Sequence, residues 1–169
     1  MICICTPCVI CVSIAIYEEY DVDAAWDGTS IEFMLSGDFE IIDPRTAFAT
    51  EDRFPGSTLK ADWPEEVLKD APLDAFTAVA AVTHDPKIDD YPLMEALKTG
   101  CFYVGALGSR KTHGKRLERF TEAGLAPELF DRIDAPIGLD IGAASPEEIA
   151  VAVLGAIIKA LRTAPGAAA

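Results

Sequence analysis

The chain has 169 residues, half of them hydrophobic, enough for one domain with a real core. Its formal net charge of −14 and isoelectric point near 4.4 leave no basic face for a nucleic-acid backbone or an anionic membrane. Four of the five cysteines, Cys3, Cys5, Cys8 and Cys11, crowd the N-terminus. That lopsided set does not resemble a secreted disulfide framework. Its spacing allows zinc or an iron–sulfur centre, yet no second ligand group follows at a finger-like distance, and Ile and Val fill the gaps as in a strand. Residues 1–16 are almost wholly apolar but lack a basic leader, and they fall short of the ~20 residues of a membrane helix. A cytoplasmic protein is the expectation.

In chain order, the β-branched run Val9–Ile16 reads as a buried strand, and Tyr17–Gly37 is acidic and without period. Phe39–Ile42 is a short strand that ends in Asp43-Pro44-Arg45. Pro64–Leu68 is a short helix with proline in its first turn. Thr77–Thr83 is a clear strand that ends in His84-Asp85. Tyr91–Thr99 is a helix closed by Gly100, with Asp89 or Asp90 at its start. Phe102–Val104 is a third strand. The helix after it carries His113, Leu117, Phe120 and Gly124 along one face. Ile137–Ile141 reads as a further strand or extended segment. Ser145-Pro146-Glu147-Glu148 is a capping box that opens a helix through about Arg162. That helix is apolar nearly all round from Ile149 to Ile158, so it packs in a core or at a subunit contact. Cys101, at the head of an apolar strand, reads as a buried thiol.

Strands alternating with helices predict an α/β fold, a Rossmann-like parallel sheet with helices on both faces. Ligands of such sheets sit beyond the carboxyl ends of the strands, where three polar groups fall. Gly105-Ala106-Leu107-Gly108-Ser109-Arg110-Lys111 runs from strand into helix. Its glycines permit a tight turn and close approach, Ser109 can cap the helix, and the helix start with Arg110 and Lys111 suits a phosphate. An ordinary strand-to-helix turn with a solvated basic pair would look the same. Asp43 stands where a dinucleotide fold binds ribose, or is a turn aspartate before proline. Arg45 can meet a phosphate or pair with a surface acid. His84 and Asp85 can line the cleft, with acid–base work as the sharper alternative. Asp140, in Gly138-Leu139-Asp140-Ile141-Gly142, can face a ligand. His113 reads as packed, not metal-binding. No nucleophile and no metal set stands out. If Val9–Ile16 is the first strand, Tyr17-Glu18-Glu19-Tyr20 follows where G-x-G-x-x-G is wanted, so usual NAD(P) binding is disfavoured.

These segments resemble the C-terminal Rossmann-like domain of the XdhC/CoxI family, the accessory proteins of xanthine dehydrogenase and related molybdenum hydroxylases. The matching pieces are Ile42–Arg45 with Phe48–Thr50 and Arg53–Pro55, then Thr83–Asp85, Phe102–Thr112, Ala135–Ala143 and Pro146–Ala150. The resemblance covers roughly residues 37–162, leaving 1–36 as an atypical N-terminal segment with at most one strand and 163–169 as a flexible tail. It implies a role in molybdenum cofactor maturation: holding the pterin cofactor while a cysteine desulfurase supplies a terminal sulfur, then delivering it to the hydroxylase apoenzyme. The implied protein is a cofactor-binding chaperone more than a catalyst, partnered by a second copy or by a separate N-terminal XdhC domain. The cofactor-facing candidates are Asp43, Arg45, His84, Asp85, Gly105, Gly108, Ser109, Arg110, Lys111 and Asp140. The family's usual first strand and glycine-rich loop are atypical or missing in this chain. A nicotinamide-dependent oxidoreductase and a non-binding interaction subunit are the rival readings.

Overall fold

The structure is a computed structural model and describes residues 40–52, 54 and 57–163. The expected strand at Val9–Ile16, the N-terminal cysteines, the whole 1–36 segment and residues 164–169 lie outside the described residues. Two parallel sheets are seen among the described residues. One pairs β1 (Glu40–Ile42) with β2 (Thr58–Lys60); the other has the order β3 (Ala78–Ala81), β4 (Tyr103–Ala106), β5 (Ile133–Asp134). Four helices accompany them: α1 (Pro64–Asp70), α2 (Pro86–Thr99), α3 (Arg110–Glu122) and α4 (Pro146–Thr163). A tight 3-10 segment, Pro127–Arg132, leads into β5.

Side-chain alternation along β3 and β4 explains the layering. Val79, Ala81, Val104 and Ala106 face one way and pack with Leu93, Ala96 and Leu97 of α2 and Phe120 of α3. Ala78, Ala80 and Tyr103 face the other way and pack with Val153, Ala156 and Ile157 of α4. Helices therefore cover both faces of the parallel sheet, as the alternation of strands and helices predicts. The small residues of β3 let the helices approach closely. Cys101 is fully buried beside Thr99, and burial pushes its thiol up, which keeps it inert.

The helix ends follow local chemistry. α2 stops at Gly100, which takes a left-handed φ of 82°, and the amides of Gly100 and Cys101 both donate to Ala96 O. Arg132 donates to the carbonyls of Leu97 and Cys101 at the same end. At the start of α4, Ser145 Oγ accepts from Glu148 N while Glu148 Oε2 accepts from Ser145 N, the reciprocal pair of a capping box.

Several expected boundaries move. α2 begins at Pro86, not Tyr91, so Asp89 and Asp90 lie within it and do not open it. Gly124 lies past the end of α3 in a left-handed turn, off the buried stripe. Ile137–Ile141 is not a strand; the strand is Ile133–Asp134, just before it. No helix among the described residues is long and apolar enough to cross a membrane.

Candidate functional site

The carboxyl ends of β3 and β4 lie side by side, with Ala81 opposite Ala106. Leu107 N donates to Ala81 O at 2.8 Å, so the loop after β4 is pinned to the tip of β3. The chain then turns at Gly108, whose φ of 132° excludes most other residues. Ser109 caps α3: its Oγ accepts from Thr112 N at 3.2 Å and lies 3.0 Å from Thr112 Oγ1. Ser109, Arg110 and Lys111 are exposed. The backbone N–H groups of Gly108, Ser109, Arg110 and Lys111 have no acceptor among the described residues. Four unclaimed donors, a helix dipole and two cations adjacent in sequence are an arrangement chemically able to hold an anion.

Gly105 does not belong to that arrangement. It sits inside β4, and a Cβ there would come within 2.7 Å of Ile137 and of Tyr103. Its missing side chain makes room for core packing and not for a ligand, which corrects the sequence expectation.

Asp43 and Arg45 are committed to each other. Asp43 is 1% exposed, and its two carboxylate oxygens accept from Arg45 Nε at 2.9 Å and Nη2 at 2.7 Å. Arg45 N donates to the same carboxylate, and the guanidinium lies 4.6 Å from the centre of the Phe48 ring. This geometry leaves little of Asp43 for ribose hydroxyls.

His84 is exposed in a left-handed turn with φ of 63°. Asp85 is the N-cap of α2, its Oδ1 accepting from Lys87 N. A cap, rather than an acid–base partner for His84, is what this carboxylate does. Asp140 is exposed on a segment that runs past the end of β4, where Ile137 N donates to Ala106 O. No hydrogen bond links Asp140 to the Gly108–Lys111 loop among the described residues. Nor is any group of three or more His, Cys, Asp or Glu side chains placed there to hold a metal ion.

Sequence reasoning missed a buried charge cluster beneath the two loops. Asp89 on α2 is 1% exposed and Arg116 on α3 is 2% exposed. Burial raises the carboxyl of Asp89, opposed by its Thr83 hydrogen bonds, and burial lowers Arg116, opposed by Asp89 and Asp90. Burial and then the neighbouring Arg116 charge lower His113, which is half-buried on the same helix. The available signal was a charged residue, Arg116, within the apolar spacing of α3, facing the Asp89-Asp90 pair.

The XdhC Rossmann domain family matches this chain over residues 30–157. The chain belongs to that family. A probable xanthine dehydrogenase subunit of Bacillus subtilis is 32% identical over 120 residues, which cover 70% of this chain and 34% of that protein. The molybdenum cofactor insertion chaperone PaoD of Escherichia coli is 36% identical over 87 residues, 52% of this chain and 27% of the chaperone. The crystal structure of a xanthine dehydrogenase from Bacillus halodurans superposes with a TM-score of 0.63 at 27% identity, covering 77% of this chain and 37% of that one. This XdhC Rossmann domain thus spans about a third or less of the curated relatives it resembles. The resemblance read from the strand-end motifs is borne out.

Proposed function

We propose that this chain handles the molybdenum cofactor for a xanthine dehydrogenase-type hydroxylase, holding the cofactor's phosphate at Gly108–Lys111. The observation that carries the reading is the row of four unclaimed N–H groups at the start of α3, flanked by Arg110 and Lys111. These donors suit a phosphate, which fits the phosphate-bearing end of a pterin cofactor. The chaperone relative and the xanthine dehydrogenase relative support the choice of cofactor and client. When bound, the cofactor supplies the redox centre that the hydroxylase needs. This chain's own residues bind and orient it. A cysteine desulfurase would install the terminal sulfur while the cofactor is held, and the apoenzyme would then receive it in the cytoplasm. A second copy or an N-terminal XdhC domain would complete the assembly.

Titration with molybdopterin tests the reading. Replacing both Arg110 and Lys111 by Ala should weaken binding by about tenfold or more, the loss of two charge-assisted contacts partly screened by water. Unchanged affinity would remove the phosphate from this loop.

A further inference from the structure

Between α2 and α3, directly under the candidate site, the buried Asp89 and Arg116 meet the part-exposed Asp90 and Arg119. Arg119 donates to both oxygens of Asp90, from Nε at 2.5 Å and from Nη2 at 3.0 Å. Arg116 Nε lies 3.7 Å from Asp90 Oδ1. Burying such a group is unfavourable, and a well-packed apolar pair often serves stability as well. Two details make the arrangement odd. Asp89 Oδ2 and Arg116 Nε and Nη1 are buried with no hydrogen-bond partner. The bonds that Asp89 and Arg116 do make run upward, into the two loops.

Asp89 Oδ1 accepts from Thr83 N at 3.2 Å and from Thr83 Oγ1 at 2.7 Å. Thr83 Oγ1 in turn accepts from Asp85 N at 2.9 Å. Asp89 therefore holds the turn that follows β3. Arg116 Nη2 donates to Leu107 O at 3.2 Å. Because Leu107 N is already bound to Ala81 O, this one residue is fixed from both sides immediately before Gly108.

We infer that Asp89 and Arg116 are positioning residues for the anion cradle, setting the 83–85 and 107–109 loops at a fixed separation from below. The inference deepens the proposed function and rests on it. Arg116 touches no ligand in this scheme; it acts through the carbonyl of Leu107, and Asp89 acts through Thr83. A buried ionic cluster retained for conformational definition and not for stability has this form.

The experiment uses the whole chain and inorganic phosphate as the probe. Backbone amide signals report phosphate binding at Gly108–Lys111, and amide hydrogen exchange reports how firmly each loop is held. In Arg116→Gln, exchange at Leu107, whose amide is bonded to Ala81 O, should rise about tenfold while core amides such as Val79 and Phe120 change less than about twofold. Phosphate affinity should fall by about tenfold with it, as expected for a lost charge-assisted bond. Arg116→Lys keeps a cation in place and should restore much of the loop protection. Thr83→Val cuts the path from Asp89 to Asp85 and should speed exchange at Asp85 but not at Leu107. If Arg116→Gln does not fold, Thr83→Val decides, since it loosens the 83–85 loop alone and leaves Leu107 protected. Equal acceleration in core and loops, or no acceleration in the loops, overturns the positioning role. If wild-type amides at Gly108–Lys111 do not respond to phosphate, the binding reading fails instead, and the exchange contrast still judges the clamp.

Discussion

At the scale of single residues, two glycines carry packing that no other residue could. Gly138 has a φ of 97°, and a Cβ there would lie 3.0 Å from the backbone of Ala152 and Val153 in α4. Gly138→Ala should cost about 3 kcal/mol, since both strain and overlap act and neither backbone can yield. Gly105→Ala should cost about 1–3 kcal/mol, because the atoms it meets belong to the side chains of Ile137 and Tyr103. Chemical denaturation measures both, and adding Ile137→Val to Gly105→Ala should recover part of the loss. His113 offers a pH signature. Burial and Arg116 hold its folded-state pKa below the ordinary 6.5, so the unfolded chain binds the extra proton first. The stability this contributes is complete above 6.5 and disappears as pH falls through the lowered folded-state value. Melting temperature measured from pH 5 to 7 should climb with pH, and His113→Gln should flatten the climb. Of the site residues, Ser109 was legible, because a cap is a local matter of a hydroxyl before a helix. That Arg45 pairs with an acid was readable as one of two options, but the acid is the buried Asp43 and not one at the surface. The packing role of Gly105 was not legible, since Ile137 is distant in sequence and only the fold brings it there.

At the scale of elements, the helix with the strongest local signal was placed best. Ser145-Pro146-Glu147-Glu148 combines a cap, a proline at the first helical position and a reciprocal glutamate, and α4 starts there. Ser145→Ala should lower stability by about 1 kcal/mol, read by thermal melting, with the loss confined to the cap. Where signals conflicted, the reading slipped. Asp89 and Asp90 read as the start of the helix, although Asp85-Pro86 already carried a cap and a first-turn proline. Strands β2 and β5 have three and two residues. So short a run has no measurable period, and pairing with β1 or β4 is what makes it a strand.

At the scale of the whole molecule, the alternation of β and α foretold a parallel sheet covered on both faces, and α2, α3 and α4 supply the cover. The charge cluster between α2 and α3 was hidden because it depends on two helices meeting, which no window of sequence contains. A ligand that binds only the folded chain raises its stability by mass action. Molybdopterin at a hundred times its Kd should add about 2.7 kcal/mol to the unfolding free energy. Millimolar NAD or NADP should leave the melting temperature unchanged, given that Asp43 is already paired with Arg45. A comparable rise with either nucleotide would favour the oxidoreductase reading instead.

The attachment of the Leu139 segment to α4 has a bearing on how this domain can vary in length. Leu139 N donates to Ala152 O in mid-helix, and its side chain lies over Gly155, where a Cβ would come within 2.9 Å of it. Upstream, Ile137 N is anchored to Ala106 O. The spacing between these anchors counts residues as a ruler does, so an insertion or deletion there would throw Leu139 off its glycine. Adding one residue between Ile137 and Leu139 should therefore lower the melting temperature of the domain.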